Sequence, residues 1–268
     1  METENNSNVG YVKLERFGSV SQLTLSRTKS LNSLTWEMYK QLEEHLENIS
    51  NDPSVRVLII RGDGDKAFAA GTDIHQFKNF TGNDGINYEN KIDKIVDKLE
   101  KINKPTIAAI NGYAVGGGMI LATACDLRYA TPKSKFGAPM AKTLGNCLSL
   151  NNYQRLASEL NNMYTKELLY TARMMDAKEA ISKGFLTDVF EEEGFYNNVI
   201  KIATKISENA PLTIKATKLA FNKLNSGEKI LDSIYEFDNI IHEVYESKDF
   251  AEGVNSHIEK RHPLWQGE

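Results

Sequence analysis

Two stretches of small residues could do chemistry through the backbone rather than through side chains: Phe68-Ala69-Ala70-Gly71-Thr72-Asp73, and Gly112 to Gly118. Glycine has no Cβ, so a ligand can touch its N–H directly, and a helix opening near Gly117 adds the positive end of its dipole. Two such loops can bind an anion, or an oxygen on which negative charge is developing. The triplet Gly116-Gly117-Gly118 is open to a second reading, close packing or a tight turn ahead of a helix. Its spacing, Gly112-x-x-x-Gly116-Gly117-Gly118, is not the G-x-G-x-x-G of dinucleotide sites, and no GK[ST] follows as in a P-loop. The next acid after the triplet is Asp126.

Both loops need strands to carry them. Val55 to Ile60 and Thr106 to Ile110 are short, β-branched apolar runs bounded by Pro53, Gly62, Pro105 and Gly112. They predict two buried strands of a sheet covered on both faces, with the small-residue loops near their carboxyl ends, where α/β sheets bind ligands. Tyr11–Phe17 and Val20–Leu25 alternate on either side of Gly18-Ser19 and predict a hairpin with one buried face. Thr35 caps a helix with the stripe Met38, Leu42, Leu46 and Ile49, which stops near Asn51-Asp52-Pro53. Ala67 to Asp73 reads as a loop, and the polar stretch Thr81 to Asn90 as a mobile surface loop. A helix with Ile92, Ile95, Val96, Leu99 and Ile102 then returns the chain to the second strand. Strand, loop and helix alternate, which indicates an α/β fold. From about Phe195 onward the periodicity is helical (Val199–Ser207, Leu212–Leu224, Ile230–Tyr245, Phe250–Lys260), with breaks at Pro211 and Gly227 and no strand. These helices are too few to build their own core, so their apolar stripes must pack on the main domain or on another subunit.

With 268 residues and 41% hydrophobic content, the chain can bury a large core as one domain, or as one domain with a small appendage. A net charge of -4 with interspersed signs argues against nucleic acid as a partner. The polar start METENNSNVG reads as a disordered tail over residues 1–8 and lacks the features of a signal peptide, and no apolar run is long enough to span a bilayer. The expectation is a cytoplasmic protein without membrane contact. Cys125 and Cys147 show neither CxxC spacing nor a disulfide pattern, which makes them small, partly buried thiols and suggests no metal site.

The two loops, read with their flanks, resemble the enoyl-CoA hydratase/isomerase (crotonase) superfamily. "AFAAGTDI" (67–74) resembles its first oxyanion-hole loop and "KPTIAAINGYAVGGGMILATACDLRYAT" (104–131) its second. "FGAPMAKTLGNCLSLNNYQRL" (136–156), "DAKEAISKGFLTDVF" (176–190) and "FAEGVNSHIEKRHPLW" (250–265) are similar to the remaining signatures, in the same order. The resemblance covers nearly the whole chain. It implies a crotonase-like spiral of ββα units over residues 9–195 and a C-terminal helical segment over 196–268 that makes trimers, or dimers of trimers. It further implies an acyl-coenzyme A thioester as substrate, with coenzyme A entering as part of that substrate and no prosthetic group.

By position, the resemblance gives the oxyanion-hole N–H groups to Thr72 and Gly117. The coenzyme would lie along Ala70, Thr72, Asp73, Ile74 and His75. Lys29, and Lys260 offered from a neighbouring subunit, would contact its phosphates; His75 stands where relatives commonly carry a lysine. Hydratases of the family carry one glutamate in GGGxE and another in FGxPE, and this chain has Ile120 and Met140 there. Neither side chain can transfer a proton. The reading is therefore a hydratase/isomerase-like lyase with non-standard acid/base residues, with Asp73, His75, Tyr113, Asn146 and Cys147 as candidates. Ile120, Met140, Asn146 and Cys147 would line the acyl pocket. Two alternatives stand beside it: a malonyl-CoA-type decarboxylase, in which loss of CO₂ itself generates the enolate, and an acyl-CoA-binding protein without turnover.

Overall fold

The computed structural model describes residues 9–225 and 230–268. The tail at residues 1–8 and the break at Gly227 lie outside the described residues. In chain order the elements are β1 (Tyr11–Phe17), β2 (Val20–Ser26), α1 (Trp36–Asn51), β3 (Val57–Gly62), β4 (Ala67–Ala70), α2 (Gly82–Lys101), β5 (Thr106–Ile110), β6 (Tyr113–Val115) and α3 (Gly117–Thr123). Next come β7 (Leu127–Ala130), β8 (Lys135–Gly137), α4 (Leu150–Leu160), α5 (Asn162–Thr171), β9 (Met175–Asp176), α6 (Ala177–Ser182) and β10 (Asp188–Val189). Four helices close the chain: α7 (Phe195–Ser207), α8 (Pro211–Asn225), α9 (Ile230–Tyr245) and α10 (Lys248–Glu259).

Three successive units, β3-β4-α2, β5-β6-α3 and β7-β8-α4, repeat one plan. The first strand of each joins a six-stranded sheet ordered β1-β2-β3-β5-β7-β10, and the second joins a four-stranded sheet ordered β4-β6-β8-β9. This is the spiral of ββα units implied by the sequence. In the larger sheet every pairing from β2 to β10 is parallel, and only β1 to β2 is antiparallel.

The larger sheet is covered on both faces, which explains its continuous apolar strands. Along β3, Leu58 and Ile60 face the main core with Met38 and Leu42 of α1 and Ile95 and Leu99 of α2. The alternate residues Val57 and Ile59 pack on Phe195, Val199 and Ala203 of α7. The hairpin expected to bury one face is therefore corrected for its second strand: β2 is buried throughout, because β3 pairs beside it and both faces are covered. Within the hairpin it is β1, at the sheet edge, that keeps an exposed side.

Two expected loops are structured. Ala67–Ala70 and Tyr113–Val115 are strands of the second sheet, too short for an alternation of side chains to reveal them. The stretch expected to be mobile from Thr81 to Asn90 is the first half of α2. Thr81 caps it reciprocally: its Oγ1 accepts from Asp84 N–H at 3.3 Å, and the Asp84 carboxylate accepts from Thr81 N–H at 2.8 Å. Tyr88 sits one turn before Ile92 and continues the buried stripe, so packing overrides the weak helix formers Gly82, Gly85 and Asn87.

The C-terminal helices form where expected, with no strand among their described residues. Asp126 ties α8 to the core: its carboxylate accepts from Thr106 N–H (2.7 Å) and Thr106 Oγ1 (2.8 Å) and pairs with buried Lys218 at 2.8 Å. Among the described residues no helix is long and apolar enough to cross a membrane.

Candidate active site

The parallel pairing of β4 with β6 sets Ala69 beside Ala114 and Ala70 beside Val115. Two residues further along each chain, at the carboxyl ends of these strands, stand Thr72 and Gly117. A Cβ placed on Gly117 would lie 3.8 Å from Thr72 N and 3.5 Å from Thr72 Oγ1, so the two backbones converge. The neighbouring amides are engaged: Asp73 N–H donates to Leu34 O at 2.9 Å and Gly116 N–H to Gly137 O at 2.8 Å. Among the described residues, the loop and turn hydrogen bonds include none donated by Thr72 N–H or Gly117 N–H.

The three glycines have separate reasons. Gly116 adopts φ +51°, in the region where a Cβ is strained. Gly118 packs so closely on β4 that a Cβ would meet Ala69 O at 2.0 Å. Gly117 opens α3 and faces Thr72. The turn-and-packing reading of the triplet thus accounts for Gly116 and Gly118, its two ends.

Thr72 is held by two tyrosines that sequence reasoning missed. Its hydroxyl lies 2.8 Å from Tyr39 Oη and 2.7 Å from Tyr88 Oη. Burial raises Tyr39 well above the usual phenol range and Tyr88 to about 12, so both keep their protons. Tyr88 is itself clamped edge-on by Phe77 (4.9 Å), Trp36 (5.7 Å) and Phe80 (6.3 Å between ring centres).

Beside Tyr88 opens a cavity of about 710 Å³ with an apolar wall that includes Phe77, Phe80, Ile86, Leu144 and Leu150. Its polar groups include Glu89 and Asp93 from α2 and Asn146 and Cys147 from the facing loop. Glu89 Oε2 accepts from Ser149 N–H at 2.8 Å. Desolvation, reinforced by the nearby Asp93 carboxylate, raises Glu89 to about 7, while the Ser149 bond opposes the shift. Asp93 is held differently, accepting from Ser149 Oγ (2.7 Å) and pairing with buried Arg155 (3.3 Å).

The residues singled out from sequence divide between several places. Asn146 and Cys147 line the cavity, whereas Ile120 is packed in the main core and Met140 is half-buried, and neither is in the cavity wall. Ala70, Thr72, Asp73, Ile74 and His75 border a separate open groove of about 690 Å³ that Arg27 also borders. Asp73 is engaged there, pairing with Arg27 at 2.8 Å and capping a short 3₁₀ turn through His75 N–H. Lys29 and Lys260 are exposed, as are His75 and Tyr113, the latter at the far end of β6 from Gly117. Cys125 is buried, which raises its thiol to about 12, and Cys147 is exposed. Among the described residues, no group of three or more His, Cys, Asp or Glu could hold a metal ion. The signal that could have found Tyr88 and Glu89 is the capping box Thr81-x-x-Asp84, which starts the helix early enough to include them.

Comparison with known proteins gives this geometry a family. The enoyl-CoA hydratase/isomerase family model matches residues 15–268. The chain is 34% identical to the short-chain-enoyl-CoA hydratase of Clostridium acetobutylicum, over 93% of this chain and 95% of that one. It is also 34% identical to the (E)-benzylidenesuccinyl-CoA hydratase of Thauera aromatica, over 96% and 99%. Among solved structures, an enoyl-CoA hydratase from Bacillus anthracis superposes with a TM-score of 0.88 at 30% identity, covering 96% of this chain and 99% of that one. With the two loops, the ββα spiral and these relatives in agreement, the chain belongs to the enoyl-CoA hydratase/isomerase family of enzymes.

Proposed function

We propose that this enzyme binds an acyl-coenzyme A thioester with its carbonyl oxygen between Thr72 N–H and Gly117 N–H, and reacts through the enolate formed there. The observation that carries this reading is the convergence of those two residues at the paired ends of β4 and β6. N–H groups fixed by the fold stabilise a developing oxyanion without reorganising during the reaction. The cavity beside Tyr88 takes the acyl group, its wall dominated by aromatic and aliphatic side chains. Coenzyme A lies along the groove at Ala70, Asp73, Ile74 and His75, with Lys29 and a neighbouring subunit's Lys260 offering positive charge to its phosphates. The exposed apolar residues Phe250, Val254 and Ile258 on α10 form part of a contact between copies, and the assembly is a trimer or a dimer of trimers.

The reaction is of the hydratase/isomerase kind, run without glutamates at positions 120 and 140. A spectrophotometric screen of crotonyl-CoA, a longer 2-enoyl-CoA, a 3-enoyl-CoA and methylmalonyl-CoA tests it. Turnover of an enoyl-CoA is expected. Decarboxylation of methylmalonyl-CoA alone, or binding of every probe without product, would overturn the hydratase/isomerase assignment.

A further inference from the structure

Four groups in the cavity wall can exchange a proton: Tyr88, Cys147, Asp93 and Glu89. Tyr88 is occupied by Thr72 and is too weak an acid, at about 12, to change state near neutrality. Cys147 is exposed on the loop facing α2, with no hydrogen bond to orient it among the described residues. Asp93 is fixed by Ser149 Oγ, Asn151 Nδ2 and Arg155. Glu89 differs from all three. It is half-buried, one oxygen is steadied by Ser149 N–H, and the other carries no hydrogen bond among the described residues. It also follows directly on Tyr88, whose hydroxyl touches the oxyanion-hole threonine.

We propose that Glu89 is the proton-transferring catalytic residue of this site, acting on the carbon α to the thioester carbonyl. The proposal rests on the reading of Thr72 and Gly117 as an oxyanion hole. In the step assigned to it, a carboxylate oxygen of Glu89 takes a proton from Cα. The C–H electron pair becomes the double bond between Cα and the carbonyl carbon, and the carbonyl π pair moves onto the oxygen held by the two N–H groups. Return of the proton from Glu89 to Cα restores the thioester; return to the γ-carbon of a 3-enoyl chain shifts the double bond with no net gain or loss of atoms. A group that titrates near 7 is matched to taking and returning a proton at neutral pH. The charged and titratable groups around it are Asp93 and Tyr88 on its own helix and Tyr39 from α1. Arg155 of α4 balances Asp93, and Cys147 shares the cavity.

Exchange of the Cα protons of butanoyl-CoA in D₂O, followed by proton NMR, reads this step without requiring the natural acyl group. Wild type is expected to exchange them at a rate that rises with pH through about 7 as Glu89 loses its proton. Glu89→Gln keeps an acceptor for Ser149 N–H, so it should fold and bind butanoyl-CoA within about threefold of wild type. Its exchange should be slower by about 10²- to 10⁴-fold, without the pH inflection. Glu89→Asp, which restores a carboxylate one methylene shorter, should recover part of the rate and the inflection. Unchanged exchange and pH profile in Glu89→Gln would overturn the role of Glu89 and leave the oxyanion hole standing. Wild type that binds butanoyl-CoA without exchanging its protons would also overturn the role of Glu89. Wild type that binds no butanoyl-CoA would overturn the reading beneath it.

Discussion

The proposed oxyanion hole takes one of its two donors from the N–H of Gly117. It is the first residue of α3, a position where proline is accepted because its φ suits the helix and no intrahelical donor is lost. Gly117→Pro should therefore leave far-ultraviolet circular dichroism close to wild type, with Tyr39 Oη, 3.0 Å from the added Cβ, giving way by a few tenths of an ångström, while removing one of the two proposed oxyanion donors. The expected loss in kcat on the substrate that the screen identifies is about 10²- to 10³-fold. Glu89 makes a second prediction at this scale, on stability. Its pKa is raised from 4.5 to about 7 in the folded protein, so folding disfavours its ionised form. Its contribution is fully present below about 4.5 and is lost as pH rises through about 7. Glu89→Gln, which does not titrate, should be more stable than wild type at pH 8, by about 1–2 kcal/mol after allowing for the solvent-exposed part of the side chain, with the gain shrinking toward pH 5. Urea unfolding at the two pH values checks it; a gain independent of pH would count against the shifted carboxyl.

At the scale of elements, α2 decides the site. Its C-terminal half is fixed by the buried stripe of Ile92, Ile95, Val96 and Leu99. Its N-terminal half carries Tyr88 and Glu89 on a run weakened by Gly82 and Gly85, held by the Thr81–Asp84 capping box and by the aromatic contacts of Tyr88. Thr81→Ala should cost about 1 kcal/mol of stability. Hydrogen exchange should show faster opening in the first two turns of α2, with little change after Ile92. Uniform acceleration along the whole helix would mean that the two halves open as one unit. Apart from its capping box, the 81–90 segment gives little sign of helix in the sequence, because two glycines and several polar residues lower its helix propensity, while the contacts that outweigh them come from Trp36, Phe77 and Phe80, distant in the chain or outside the helix.

At the scale of the whole molecule, the two sheets and α7 make a closed core, but the last helices leave apolar surface in water. Phe250, Val254 and Ile258 of α10 are 43%, 44% and 72% exposed, and Leu264 beyond it is 74% exposed. Phe250, Val254 and Ile258 flank a groove of about 430 Å³ lined also by Leu212, Val244 and Trp265. This apolar surface is what the proposed contact between copies would bury. The expected mass by light scattering is that of a trimer or hexamer, and Ile258→Asp combined with Val254→Asp should lower it while the ββα core stays folded. A monomeric wild type would refute the proposed assembly.

The hairpin β1–β2, the cap at Thr35, the α1 stripe, the buried runs of β3 and β5 and the C-terminal helices were legible from the sequence, whereas the short strands β4 and β6 inside the small-residue stretches and the first half of α2 were not. Each legible feature is written in local periodicity or in a residue with one dominant use. The same holds for the family, because its motifs are short and contiguous. What only the tertiary structure decided is which residues meet. Ala69 faces Ala114 because β4 and β6 pair in parallel at a particular register, and this brings Thr72 to Gly117. Tyr39 and Tyr88, 49 positions apart in the numbering, converge on one hydroxyl because α1 and α2 pack on the same side of the larger sheet. The shift of Glu89 has the same origin, since it depends on burial, on Asp93 and on Ser149, which is remote in the chain. A linear pattern records which side chains share a face, but desolvation and charge proximity exist only once distant segments are packed together.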